Sequence, residues 1–156
     1  MDRTSYTNLA KSWEYVEDHA FSRQSTSLNA IRTHAEEAGI PQGSAAQAEL
    51  LRMLVHMVNA SSVIAVGTGS VVETLQLVNG LDNRGQLTAV DSSSQGIALI
   101  RTLFNRLSDE TQTTLRAVNA PVNVFLPRLN AETYDLIVVA AMPKIMLPLL
   151  NRLPAC

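Results

Sequence analysis

The chain has 156 residues, of which 46% are hydrophobic and 17% charged, which is enough apolar material for the core of one globular domain. The formal net charge of −2 and the lack of a basic stripe argue against nucleic acid as the main partner, because phosphates would stay unneutralised. The single cysteine, Cys156, excludes an internal disulfide framework and favours a reducing, cytoplasmic setting.

The sequence carries no sign of a targeting or membrane segment. The first 20 residues are polar and mixed in charge, unlike a secretory signal. No apolar run reaches the ~18 residues that a membrane span needs. The sequence therefore predicts no membrane partner.

Three helices are predicted before the first strand, and together they form a cap over residues 1–60. The first follows from apolar residues at three- and four-residue spacing, namely Leu9, Trp13, Val16 and Ala20. The second covers Ser25–Ala38 and ends at Gly39, shortly before a proline. The third begins after the capping residue Ser44. Its predicted buried side carries five apolar residues: Leu50, Leu51, Leu54, Val55 and Val58.

From residue 61 onward, predicted strands and helices alternate. The strands are Ser62–Val66, Gln86–Val90, Leu115–Val118 and Tyr134–Ala140, the last expected to be buried. The helices are Ser70–Asn79, Ser94–Leu107, Pro121–Leu129 and Pro143–Leu150. This alternation predicts a parallel sheet with right-handed crossovers. We therefore expect one domain over residues 1–156, in which residues 61–156 form the α/β part.

The expected strand order is 3-2-1-4, which places the fourth strand at an edge of the sheet. An apolar edge strand invites pairing or aggregation. Two explanations stay open at this point. A partner chain, such as a second copy in a homodimer, covers the edge, or the chain is shorter than its fold and lacks the final strands.

The most informative segment joins the first predicted strand to the helix that follows. Gly67 and Gly69 allow a tight turn and a close approach to a ligand. Asp91, at the tip of the second strand, can bind both hydroxyls of a ribose. Together they predict an adenosine-type cofactor on a Rossmann-like sheet. A plain strand-to-helix turn and a nicotinamide site stay open, although Val72 stands where the nicotinamide fingerprint wants a third glycine.

One protein family resembles the chain from about Tyr15 to Leu150. The likeness is carried by the helical prefix, by Gly39-Ile40-Pro41, by the leucine-rich helix, and by VIAVGTGSVVETLQLV, GQLTAVDSSSQ and AETYDLIVVAAMP. These features resemble the S-adenosylmethionine-dependent O-methyltransferases of the catechol and caffeoyl-CoA type, above all their small actinobacterial branch. The resemblance implies a Rossmann-like methyltransferase fold, S-adenosyl-L-methionine as cofactor, and an enzyme that methylates a hydroxyl of a small molecule.

The resemblance also implies seven cofactor-binding residues: Gly67, Thr68, Gly69, Asp91, Ser92, Asn119 and Ala120. The first three would border the methionine part of the cofactor, the next two its ribose, and the last two its adenine. Ligands of open α/β sheets do lie beyond the carboxyl ends of the strands. Asp91 has a structural alternative as helix N-cap, but any serine from residue 92 to 94 could cap that helix instead.

The chain departs from the family pattern at four positions. Ala65 stands where the family usually has an acid, and Val71 stands where it has a glycine that eases the turn. Glu73 takes the place of a serine that holds the cofactor's carboxylate. Ala140 takes the place of an aspartate that ligates metal in metal-dependent members. A glutamate at 73 repels a carboxylate unless it turns away, and it also completes a capping box with Ser70. Magnesium needs hard oxygen ligands, so we predict no metal site.

No side chain stands out as a general base, and the catalytic residues stay unassigned. Methyl transfer depends largely on holding the nucleophile in line. The remaining candidates have structural interpretations: His19, His34 and His56 at the surface or an interface, Lys144 solvated, Trp13 in the core or a dimer contact, Asp135 structural, and Cys156 in the tail.

Two functions are therefore carried forward. The first is metal-independent methyl transfer from S-adenosylmethionine. The second is a degenerate, catalytically inactive methyltransferase fold that acts as a binding or interaction protein. The four departures and the missing strands favour the second, whereas the glycine turn and Asp91 favour the first.

Overall fold

Among the described residues, four parallel strands form one sheet. The computed structural model describes residues 3–67, 71–130 and 133–140. The strands are β1 (Ser62–Val66), β2 (Gln86–Asp91), β3 (Thr114–Asn119) and β4 (Leu136–Val139). Their order across the sheet is β3-β2-β1-β4, with every pair parallel. The predicted sheet type and strand order are both confirmed.

The helices follow the predicted order, but one of them is shorter than predicted. Three precede the sheet: α1 (Arg3–Ser22), α2 (Thr26–Glu37) and α3 (Ala45–Met57). The others are α4 (Val71–Leu81), α5 (Ser94–Leu107) and the short α6 (Val122–Phe125), which runs into a 3-10 turn at Leu126–Arg128. The predicted helix Pro121–Leu129 is thus shorter than expected, because Pro127 has no N–H to extend the α-helical ladder. The predicted helix Pro143–Leu150 lies outside the described residues.

Within the described ranges, no helix is long and apolar enough to cross a bilayer.

The core lies on both faces of β1. Successive side chains of a strand point to opposite faces. Val63 and Ala65 join a cluster of buried side chains shared with α2 to α5. Ile64 and Val66 join a second cluster, which α6 and the 3-10 turn border. Because α2 and α3 share the first cluster with the sheet, the arrangement supports one domain, which remains a prediction.

The expectation that β4 is buried was wrong. All four of its residues are half-buried. Among the described residues, β4 pairs with β1 on one side and with no strand on the other. Its position at the edge therefore explains the exposure.

Asp135 fastens the start of β4 to the start of β1. One oxygen, Oδ2, accepts hydrogen bonds from the Ser61 N–H at 2.7 Å, the Ser61 hydroxyl at 2.9 Å and the Ser62 N–H at 2.9 Å. The hydrogen bonds from Ser61 and Ser62 hold the pKa of Asp135 below its ordinary value. These contacts support the structural role predicted for this residue.

The predicted buried side of α3 was largely wrong. Val55 is fully buried, but Leu50 is 53% exposed and Val58 is 56% exposed. The helix instead packs its small residues inward and approaches α4 closely at Gly80, where an added Cβ would lie 2.7 Å from the Arg52 carbonyl oxygen. This close contact selects the small-residue face, so Leu50 and Leu54 face outward, whereas Leu51 is half-buried against the core.

Glu17 attaches helix α1 to the start of α3. Its carboxylate accepts hydrogen bonds from the Ser44 hydroxyl and from the N–H groups of Ala45 and Ala46, the first residues of α3. Burial raises the pKa of Glu17, but these three hydrogen bonds and the charge of Arg32 outweigh it and hold the pKa below its ordinary value. The apolar stripe of α1 is exposed, so Trp13 does not enter the core of the single chain.

Candidate cofactor-binding site

Gly67 follows β1 directly and begins the glycine turn. Its φ of +83° lies in the left-handed region that favours glycine. Its N–H donates to the Val90 carbonyl at 2.9 Å. An added Cβ would lie 2.6 Å from the Ala140 carbonyl oxygen, so the backbone geometry requires glycine here. The other two predicted turn residues, Thr68 and Gly69, lie outside the described residues.

The ends of β2 and β3 meet beside this turn. Asp91 and Asn119 are direct partners in the parallel register. The Asp91 carbonyl accepts hydrogen bonds from the Ala120 N–H at 3.0 Å and from Asn119 Nδ2 at 3.3 Å. The structure thus brings together the five predicted site residues that it describes: Gly67, Asp91, Ser92, Asn119 and Ala120.

The Asp91 side chain is not the N-cap of the following helix. Ser93 takes that position, and its hydroxyl accepts the Gly96 N–H at 3.1 Å. Asp91 Oδ1 accepts the Ser93 N–H at 2.8 Å, which fixes the carboxylate at the tip of β2. Because Ser93 caps the helix, the structural alternative for Asp91 loses its main support.

Glu73 lies in the first turn of α4 and is only 6% exposed. Its Oε1 accepts a hydrogen bond from Gln47 Nε2 at 3.1 Å. Burial raises the pKa of Glu73, and the charge of Arg32 opposes that shift. Its predicted capping partner, Ser70, lies outside the described residues. Val71, expected to crowd the turn, is buried in the core cluster shared with α5.

Arg32 of α2 is a buried charged residue that the sequence analysis did not single out as a candidate for the site. It is 9% exposed, and its Nη1 donates to the Gly43 carbonyl at 2.7 Å. Its Nε and Nη2 are buried, and neither has a hydrogen-bond partner in the part of the chain that the structure describes. A signal was available, because Arg32 shares the buried stripe of α2 with Leu28 and Ala35 at helical spacing.

The other candidates do not join this edge. His19, His34 and His56 are exposed, and Lys144 and Cys156 lie outside the described residues. In the described ranges, no group of three acidic, histidine or cysteine side chains could hold a metal ion. A groove of about 600 Å³ lies elsewhere, between α1, α3 and the later turns of α4.

The sequence as a whole identifies the family. The O-methyltransferase family model matches residues 18–144. The chain belongs to the O-methyltransferase family. The resemblance noted in the sequence is thereby confirmed at the level of the family.

Two relatives from mycobacteria are O-methyltransferases by name. The protein of Mycolicibacterium vanbaalenii is 30% identical over 141 residues, which cover 88% of this chain and 61% of the relative. The protein of Mycobacterium sp. strain KMS is 30% identical over 128 residues, which cover 80% of this chain and 58% of the relative. The chain therefore spans about three fifths of the length of these relatives.

Solved structures of other O-methyltransferases share the fold. The O-methyltransferase from Bacillus cereus was solved in complex with S-adenosylhomocysteine (SAH). It matches with a TM-score of 0.67 at 19% identity, and the match covers 84% of this chain and 62% of that one. TomG from Streptomyces achromogenes, solved with SAM, matches with a TM-score of 0.64 at 20% identity, over 84% and 61%. Together these likenesses confirm the predicted Rossmann-like methyltransferase fold.

Proposed function

We propose that the chain binds S-adenosylmethionine and serves methyl transfer to a hydroxyl of a small molecule, without a metal ion. One observation carries the proposal: Gly67, Asp91 and Asn119, from three strand ends, meet at one edge of the sheet. That edge lies where an open α/β sheet reverses its strand order and binds its ligands. The SAH and SAM complexes of the Bacillus and Streptomyces proteins support the same class of ligand.

Each residue of the edge has a stated role in this proposal. The backbone at Gly67, together with Thr68 and Gly69, borders the methionine part of the cofactor. Asp91 accepts hydrogen bonds from the ribose hydroxyls, with Ser92 beside it. Asn119 and Ala120 border the adenine. When bound, the cofactor supplies an activated methyl group on a sulfonium, so orientation of the acceptor provides much of the acceleration.

The metal-independent part of the proposal depends on Ala140. This residue follows β4 directly, and its methyl side chain offers no oxygen to a cation. Activation of the acceptor hydroxyl then depends on protein groups or on the acceptor's own acidity. The single cysteine also supports the cytoplasmic location expected from the sequence.

A second candidate function is a binding protein with a degenerate site. The buried Glu73 favours it, because a carboxylate in the first turn of α4 can repel the carboxylate of the cofactor. The exposed apolar side chains of α3, which are Leu50, Met53, Leu54 and Met57, also favour association with another chain.

Calorimetric titration with S-adenosylhomocysteine separates the two functions. We expect one site per chain with a micromolar Kd, unchanged when EDTA is added. Circular dichroism on the same sample verifies that the protein is folded. A folded protein that does not bind would contradict the enzyme proposal and leave the binding-protein candidate.

We also propose that α1 pairs with its counterpart in a homodimer. Leu9 is 57% exposed, Trp13 62% and Val16 45%. In an antiparallel pair with its two-fold axis just before Trp13, Leu9 of one copy faces Val16 of the other, and Lys11 faces Glu14. Such a self-complementary match is what a two-fold interface requires.

Replacement of Trp13 by glutamate should convert the dimer to a monomer, because it places a charge on the axis of the pair. Light scattering coupled to size exclusion measures the change. A wild-type chain that is monomeric at high micromolar concentration would rule this interface out.

A further inference from the structure

Two buried residues of opposite charge, Glu73 in the first turn of α4 and Arg32 of α2, have no part in the proposed roles. Glu73 is 6% exposed and Arg32 is 9% exposed. Ionised side chains are rarely this buried without a specific partner, since removing a charge from water is costly. The guanidinium of Arg32 therefore calls for a group that completes its interactions.

The orphaned donors of Arg32 have the geometry of a carboxylate site. Nη1 donates to the Gly43 carbonyl, whereas Nε and Nη2 have no hydrogen-bond partner among the described residues. These two nitrogens lie on the same edge of the guanidinium. That edge presents two parallel N–H groups, and a carboxylate accepts both of them in a bidentate pair. The ring of Phe21 lies over the guanidinium at 5.8 Å and helps to fix its plane.

The loop between α2 and α3 connects Arg32 to the first turn of α4. Arg32 binds the Gly43 carbonyl, and the neighbouring side chain of Gln42 accepts the Val72 N–H through Oε1 at 3.1 Å. Glu73 follows Val72 and lies within the electrostatic influence of Arg32. This turn comes directly after residues 67–70, where the methionine part of the cofactor is expected.

The methionine part of the cofactor is a zwitterion, with one carboxylate and one ammonium group. We propose that Arg32 and Glu73 together bind this end: the guanidinium takes the carboxylate and the Glu73 carboxylate takes the ammonium. The inference rests on the proposed function, since it assigns a subsite to that cofactor. It also removes the conflict that Glu73 posed, because Glu73 then binds the positive group of the ligand.

The test compares two ligands that differ only in the amino-acid end. S-adenosylhomocysteine carries it, and 5′-methylthioadenosine has the same nucleoside and sulfur without it. Calorimetry on the wild-type chain should show S-adenosylhomocysteine binding 10- to 100-fold more tightly, a range set by hydrogen bonds to charged groups. In Arg32→Met this preference should fall to about twofold, with the affinity for 5′-methylthioadenosine unchanged.

Two further variants keep the test decisive. Glu73→Gln preserves size and the acceptor for Gln47, so it should fold even where Arg32→Met does not, and it should also reduce the preference. Arg23→Met removes an exposed arginine and should leave the preference at its wild-type value. Folded Arg32→Met and Glu73→Gln proteins that keep the full preference would overturn this subsite while leaving the proposed function intact. A wild-type chain that binds neither ligand would overturn both.

Discussion

Replacement of Asp91 by alanine should reduce the affinity for S-adenosylhomocysteine by roughly 100-fold or more. The carboxylate is expected to accept hydrogen bonds from both ribose hydroxyls, and hydrogen bonds to charged groups each contribute about 1.5–3 kcal/mol. The Ser93 N–H already holds Oδ1 at 2.8 Å, so the wild-type group is oriented before the ligand arrives. Calorimetry or a competitive fluorescence assay measures the loss.

Two comparisons distinguish the ribose contact from a general effect of charge or fold. Asp91→Asn keeps an acceptor but loses the charge, so it should fall between the wild type and the alanine variant. Asp109→Ala removes an exposed acid and should bind as the wild type does. If Asp91→Ala binds within threefold of the wild type, Asp91 does not hold the ribose.

Replacement of Gly85 by alanine should destabilise the fold by about 3 kcal/mol or more, because left-handed backbone strain and steric overlap both contribute. Gly85 precedes β2 with a φ of +64°, and an added Cβ would lie 2.0 Å from the Ser61 carbonyl oxygen. That oxygen accepts the Gln86 N–H at 2.8 Å, at the point where β1 and β2 begin to pair. Urea denaturation measures the change in the free energy of unfolding.

Gly39→Ala is the matched control for this substitution. Gly39 has a similar φ of +78°, but none of the described residues lies within 4 Å of the Cβ that alanine would add. It should therefore lose only the backbone strain, about 1–2 kcal/mol. Equal losses of unfolding free energy at the two positions would contradict the prediction, because the added Cβ at Gly85 would then move away from Ser61 without destabilising the fold.

The framework of the sheet could be predicted from local patterns. Strands rich in Val, Ile and Leu that alternate with helices predict a parallel sheet with right-handed crossovers, and the order 3-2-1-4 is the one expected for half of a Rossmann fold. The helix over Ser94–Leu107 has the predicted limits because Ser93 caps its start. The meeting of Asp91 with Asn119 follows from the same logic, since parallel strands end at one edge.

The remaining features depend on contacts that the sequence does not display. Periodicity placed the leucines of α3 inward, but the close approach of α3 to Gly80 turned its small residues inward instead. The sequence does not reveal how near the Ser61 carbonyl lies to Gly85. Arg32 is buried by α2 packing against distant parts of the chain, and its partners, Gly43 and Phe21, are 11 residues away on each side.

The central claim is that the cofactor binds at the carboxyl edge of the sheet. Nuclear magnetic resonance tests it most directly, by mapping backbone amide shifts of the ¹⁵N-labelled chain during titration with S-adenosylhomocysteine. We expect the largest shifts at five amides: Gly67, Asp91, Ser92, Asn119 and Ala120. The groove between α1 and α3 provides the internal comparison, with Leu50 and Met53 expected to stay unshifted. Shifts confined to that groove, or saturation without any shift at the strand ends, would contradict the account.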